Sequence, residues 1–171
     1  MPKNRFDPHT LARLAVVTAL YAALTVALQP ISFGLVQLRV SEILVLLCFY
    51  RRDYSIALIL GCFIANCFSP MALMDMVFGT LATAIAVIPM FSLRNIWIAS
   101  LLPVVSNAII ISAELYICYN QPMWLGVLTV GAGELIAVTL VGCPLFKLVI
   151  ERSKPFMKLV SAKTKPLKST E

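Results

Sequence analysis

Six apolar stretches separated by short polar breaks constrain this chain more than any other feature. About 20 apolar residues span the hydrocarbon core of a bilayer, and tilt or shielding by neighbours relaxes that limit. The first stretch runs from about Thr10 to Leu28 and stops at Gln29-Pro30. A mixed segment, Ile31–Val40, leads into a short apolar run, Ser41–Tyr50, that ends at Arg51-Arg52-Asp53. This second run is too short to span alone and is expected to borrow residues from the mixed segment. The third covers Tyr54 to about Phe68 and the fourth about Met74 to Met90. The fifth covers Ile96 to Tyr119 and closes on the turn Asn120-Gln121-Pro122, and the sixth covers Trp124 to Phe146. Of the 171 residues, 60% are hydrophobic and only 13% charged, too little polar surface to cover a soluble core of this size. The expected fold is an all-α integral membrane bundle of six transmembrane helices. It forms one membrane domain over 1–171, with the bundle at about 10–150 and a basic cytoplasmic tail at about 151–171. The first stretch lacks an A-x-A cleavage pattern close behind it, so it is read as a retained span.

Six spans put both termini on one face, and the basic residues say which. Lys3, Arg5, Arg13, Arg51, Arg52, Arg94, Lys147 and the tail (Arg152, Lys154, Lys158, Lys163, Lys165, Lys168) all fall on one side. Of the 14 Lys and Arg, only Arg39 falls on the other. The positive-inside rule then makes both termini cytoplasmic. The formal charge of +6 needs no nucleic-acid partner, because anionic lipid headgroups attract such a tail.

Against this background four carboxylates are out of place: Glu42, Asp75, Glu114 and Glu134. An ionisable group at a bilayer centre costs roughly 2.5–3.5 kcal/mol on insertion scales, so such residues are usually functional. The expected topology puts all four in the outer half, with Glu134 about 15 Å down its helix at 1.5 Å per residue. Asn66 lies near the outer end of the third span. Asn107 and Glu114, seven apart on the fifth, share one face. The cytoplasmic halves hold almost no polar residue, which describes a cup closed at the bottom rather than a channel.

Each position also has a plain structural reading. Arg39 and Glu42, three apart, pair at a helix start. Asp75 caps a helix N-terminus, and Asn66 and Asn107 bond neighbouring helices. Glu114 and Glu134 resist such a reading, since no Lys or Arg lies at their depth along any span: they bind something, or burial keeps them protonated. Trp97 and Trp124 are belt anchors by default, with stacking of Trp124 or Tyr116 on an aromatic ligand as the alternative. The first span carries Ala15, Ala19, Ala23 and Ala27 at every fourth position. Such a small-residue stripe permits close helix approach, either to a partner or within the chain.

Catalytic chemistry finds no support. There is no Walker loop, no H-E-x-x-H and no G-x-S-x-G, and the only histidine, His9, precedes the first span. Neither a metal nor a cofactor is expected. The five cysteines are scattered singly through apolar runs and read as small hydrophobes.

The alanine-striped first span, the segment Gln37-Leu-Arg-Val-Ser-Glu42 and the run Leu60–Asn66 resemble the QueT family. Asp75, Gly79-Thr80, Asn107, Glu114 and Glu134 extend the resemblance over about residues 10–150. The family comprises substrate-binding (S) components of energy-coupling factor (ECF) transporters. The resemblance implies uptake of a queuosine precursor, a 7-deazaguanine such as 7-aminomethyl-7-deazaguanine or queuine, by a chain with no enzymatic activity of its own. It also implies a transmembrane coupling protein, two cytoplasmic ATP-binding-cassette ATPases, and the cell membrane of a Gram-positive bacterium. Glu114 and Glu134 are then expected as primary ligand contacts, with Asn66 and Asn107 orienting the base. Asp75 belongs to the same site, and Arg39, Glu42 and Gln37 are expected to shape its outer mouth. Ala15, Ala19 and Ala23 are expected to dock on the coupling protein. The alternatives are an S component for another vitamin-like substrate, a proton-coupled exporter of cationic compounds, and a membrane assembly protein without a ligand. Small antiporters carry their acid in the first helix, and Thr10–Leu28 has no carboxylate.

Overall fold

Apolar runs this long leave the backbone one way to satisfy its hydrogen bonds in lipid, and every regular element among the described residues of this computed structural model is helical. The structure describes residues 7–32, 38–153 and 160. Gln37, Lys3, Arg5 and the tail lysines Lys154, Lys158, Lys163, Lys165 and Lys168 lie outside them. Helix α1 is Pro8–Ala27 and α2 is the single turn Gln29–Ser32. They are followed by α3 (Val40–Tyr50), α4 (Tyr54–Asn66), α5 (Ala72–Met90), α6 (Ile96–Tyr119) and α7 (Met123–Val149).

Four of these, α1, α5, α6 and α7, are long and apolar enough to cross a membrane. The expectation of six full spans is met only in part, because α3 and α4 are shorter apolar helices. Helix α3 is wound as a 3-10 helix over Val40–Leu46 and becomes α-helical only over Leu47–Tyr50. At about 2.0 Å rise per 3-10 residue the tighter winding lengthens it, yet it still reaches only about 20 Å. The residues borrowed from Ile31–Val40 do not extend it, since Leu38 and Arg39 are non-helical.

Large apolar side chains cover the outside of the bundle, among them Val16, Ile56, Leu73, Val77, Ile98, Ile117, Leu128 and Leu140, each more than half exposed. Soluble monomers do not carry an apolar surface of this extent. The protein is therefore a multi-pass membrane protein. Trp97 and Trp124 belong to this surface, and Lys147 Nζ lies 5.7 Å from the centre of the Trp97 ring. Tyr116 is also exposed, so none of these three rings serves as a stacking platform inside the bundle.

Close approaches fix how the helices sit. Gly61 of α4 lies under α1, where an added Cβ would be 3.1 Å from the Thr18 carbonyl oxygen and from Tyr21 Cβ. Thr18 Oγ1 donates to the Ala57 carbonyl across the same seam, at 2.9 Å. Gly126 of α7 lies against Ser112 of α6, where an added Cβ would fall 2.8 Å from Ser112 Oγ.

One end of the bundle is filled by apolar side chains, including Val45–Tyr50, Leu58, Val87, Met90, Ile96, Ala99, Cys143 and Phe146. Tyr50 stacks on Phe146 at 5.9 Å and meets Phe49 edge-on at 5.2 Å. Arg51, Arg94 and Lys147 border this plug in sequence, and Arg13 joins them, its guanidinium 5.8 Å from the Tyr54 ring centre. The basic residues of the described segments thus gather at the plugged end, and Arg39 lies away from it. The plug is built from the apolar half-spans seen in the sequence.

Candidate functional site

Toward the other end, the polar residues singled out from the sequence converge. Glu42, Glu114, Glu134 and Asp75 are 0–4% exposed, and so are Asn66 and Asn107. Five helices supply them. The non-helical Arg39 enters α3, whose 3-10 turns carry Ser41 and Glu42 inward. Asn66 closes α4, Asp75 sits in the first turns of α5, Asn107 and Glu114 share the inner face of α6, and Glu134 comes from α7.

Arg39 corrects an expectation. No basic residue was expected at the depth of the two deep acids, yet Arg39 is buried, at 2% exposure, within electrostatic reach of Glu42 and Glu134 and more weakly of Glu114. Sequence depth misled because Arg39 precedes its helix on extended backbone, and an arginine side chain is long enough to fold back into the bundle. Arg39 and Glu42 are therefore inside the cluster rather than at its mouth. The expected mouth residue Gln37 lies outside the described residues.

Each acid has a different set of partners. Glu42 accepts from the Tyr21 hydroxyl, while its neighbour Ser41 shares a 2.6 Å hydrogen bond with Thr25. Glu134 Oε1 accepts from Asn107 Nδ2 at 3.0 Å. Asp75 Oδ2 accepts from Ser69 Oγ, and the Asp75 carbonyl accepts from Asn66 Nδ2 at 2.7 Å. Asp75 lies four residues past the N-cap Met71, and the Ser69 hydroxyl that donates to it also accepts from the Met71 N–H at 3.1 Å. The Glu114 carboxyl lies against that of Asp75, and among the described residues neither of its oxygens accepts a hydrogen bond of good geometry from a donor N–H or hydroxyl. Helix packing agrees with that pairing: Ala82, two turns beyond Asp75 on α5, packs on Ile111 and Leu115 of α6, which flank Glu114.

Two backbone features shape the cluster. Helix α7 widens into a π-helix over Leu135–Gly142, beginning immediately after Glu134. Such widened turns recur at functional sites. The widened part packs on α3, with an added Cβ at Gly142 only 3.0 Å from Leu46 Cδ1. Gly79, one turn below Asp75, leaves space that Asn66 and Arg39 occupy: its Cβ would sit 2.5 Å from Asn66 Nδ2 and 3.6 Å from Arg39 Nη1.

Sequence reasoning missed Tyr21, Ser69 and the steric role of Gly79. A signal for Tyr21 was present. Thr18, Tyr21 and Thr25 make a polar line along α1 on the face opposite the alanine stripe. The stripe itself faces outward, with Ala15, Ala19, Ala23 and Ala27 all exposed. Packing inside the bundle therefore does not account for it.

The model of the QueT transporter family matches residues 11–151, the whole bundle and the whole cluster. The chain belongs to the QueT transporter family. Members of this family are transporters rather than enzymes. The chain is also similar to the protein named "Queuosine precursor transporter QueT" of Lactococcus lactis subsp. cremoris (strain MG1363). The two are 38% identical over 79 residues, which is 45% of this chain and 46% of the relative, so the match spans less than half of the relative's length. No solved structure matches the chain.

Chemically, the cluster is rich in acceptors set around the Arg39 guanidinium. Among the described residues, Glu42 Oε2, Glu134 Oε2, both Glu114 oxygens, Asn66 Oδ1 and Asn107 Oδ1 are buried oxygens with no hydrogen-bond partner in the protein. Leaving such groups unpaired costs about 1–3 kcal/mol each, and more when charged. A ligand rich in N–H donors offsets that cost.

Proposed function

We propose that this chain is the substrate-binding component of an energy-coupling factor transporter for a queuosine precursor, a 7-deazaguanine such as 7-aminomethyl-7-deazaguanine or queuine. The observation that carries the reading is the set of buried acceptor oxygens without protein donors, in a chain of the QueT family. A guanine-like edge presents an N–H and an exocyclic NH₂ that one carboxylate accepts together. Asparagine amides serve the remaining ring positions, since each carries both donor and acceptor. Six membrane segments with both termini cytoplasmic, in the cell membrane of a Gram-positive bacterium, complete the proposal. The gathering of Arg13, Arg51, Arg94 and Lys147 at the plugged end supports that orientation by the positive-inside rule. The cluster then lies in the half of the bundle nearer the outside.

Thermal unfolding of the purified protein tests the ligand class. A 7-deazaguanine at 100 times its Kd is expected to stabilise by about 2.7 kcal/mol. Stabilisation by lipophilic cations and by no deazaguanine would point instead to an exporter. Glu134→Gln keeps the shape but removes the charge. A charge-assisted hydrogen bond is worth roughly 1.5–3 kcal/mol, so affinity for the aminomethyl compound is expected to fall by about one to two decades. Unchanged binding would make Glu134 structural.

ATP hydrolysis belongs to partner subunits in this reading, and the outward stripe of α1 supplies the contact with the coupling protein. Small side chains let helix backbones approach closely, and in lipid that packing drives association. Ala19→Leu is expected to leave ligand affinity unchanged, because Ala19 is exposed and contributes nothing to the cluster. Co-purification with the coupling protein and ATPases should fall, and cellular uptake with it. Full assembly of the Ala19→Leu protein would place the docking face on another helix.

A further inference from the structure

We infer that Glu114 is the residue that reads the base: its two oxygens together accept the ring N–H and the exocyclic NH₂ of the guanine-like edge. The inference rests on the cluster being the substrate site, and it follows from which acceptors the protein has already filled. Glu42 has one oxygen held by the Tyr21 hydroxyl, and Glu134 has one held by Asn107 Nδ2 at 3.0 Å. Each keeps a single oxygen, Oε2, for a ligand. Asp75 Oδ2 is taken by Ser69, and Asn66 and Asn107 each offer one carbonyl oxygen, Oδ1. Of these side chains only Glu114 is fully buried with both oxygens open.

Two parallel N–H donors need two acceptors in one plane at a fixed spacing. A carboxylate with both oxygens open supplies that by its covalent geometry, whereas oxygens contributed singly by different residues do not. Asp75, the carboxyl lying against Glu114, cannot supply what Glu114 lacks, because an ionised carboxyl only accepts. The face of α6 then gives the base a direction. Asn107 precedes Glu114 by two helical turns, about 10 Å along the axis at 1.5 Å per residue. Ile111 sits between them on the same face and packs with Ala82, Leu115 and Val130 into an apolar wall. A bicyclic ring with its two-donor edge on Glu114 lies along that wall, and its 7-substituent points toward Glu134 Oε2 and Asn107 Oδ1, which each accept one N–H.

The test uses whichever of 7-aminomethyl-7-deazaguanine and queuine binds the purified full chain more tightly, and its counterpart with hydrogen in place of the exocyclic amine. Calorimetric titration of the parent is expected to show about 10- to 100-fold weaker binding of the counterpart. In Glu114→Gln that difference should largely vanish, because glutamine offers one acceptor and turns an NH₂ toward the second donor. Glu134→Gln should weaken both compounds and keep the difference. Equal binding of the two compounds by the parent overturns the assignment. So does a difference that survives in Glu114→Gln, the result of a proton held between Glu114 and Asp75 that keeps the pair out of recognition. If Glu114→Gln binds neither compound, Glu134→Gln decides: a difference kept there supports the assignment, and one lost there moves the edge to Glu134. If neither 7-aminomethyl-7-deazaguanine nor queuine binds the parent, the substrate reading itself fails, and the two failures are told apart.

Discussion

Replacing Arg39 with methionine is expected to destabilise the fold by about 3–5 kcal/mol, the usual cost of breaking a buried ionic cluster from one side. Methionine keeps the length and apolar stem of the side chain, so packing changes little. What disappears is the guanidinium within reach of three carboxyls, Glu42, Glu134 and Glu114. Glu42 and Glu134, both within its reach, are left as buried acids without compensation. Reversible unfolding in mixed detergent micelles measures the loss. Combining Arg39→Met with Glu134→Gln removes one of the stranded charges and is expected to recover part of the stability. An Arg39→Met protein as stable as its parent would show that the carboxyls are balanced by another means.

Gly79→Val is expected to lower affinity for the 7-deazaguanine by two decades or more, with a smaller loss of stability of about 1–3 kcal/mol from overpacking. A Cβ at this position already falls 2.5 Å from Asn66 Nδ2, and the branched methyls of valine extend toward Arg39. Asn66 is fully buried and tied to the Asp75 carbonyl, so it yields only by breaking that bond. Adding Asn66→Ala should restore stability by making room but not affinity, because the proposed site uses that amide to orient the base. Recovery of both would assign Asn66 a purely structural role.

The sequence made the long helices and the polar cluster legible for one reason. In lipid, an apolar run and a buried acid are both rare enough to carry meaning without any knowledge of contacts. Boundaries of α5, α6 and the start of α7 follow from Pro, Asn and Arg punctuation, and the structure places them within two residues of expectation. Helix α3 was not legible in the same way. Its 3-10 turns over Val40–Leu46 pack against the widened turns of α7, some 95 residues away in the chain, a contact that local periodicity does not report. Arg39 was misplaced for a related cause. Linear depth locates a backbone, whereas an arginine head lies wherever its long stem can carry it. The partners Tyr21 and Ser69 come from elements that periodicity treats as ordinary, and their roles depend on the side chains opposite them.

The burial of every polar group in the cluster bears on how fast anything can reach it. A ligand bound among side chains 0–4% exposed arrives only through a form of the protein in which they have parted. Observed binding rates should then level off at high ligand concentration, at the rate of opening rather than of collision. Apparent affinity is likewise the intrinsic affinity diluted by the open fraction: an opening populated at about 1% weakens it about 100-fold. The same closure slows escape. Under the proposed function, the same closure keeps a bound ligand in place while the coupling protein and ATPases engage, in exchange for slow loading.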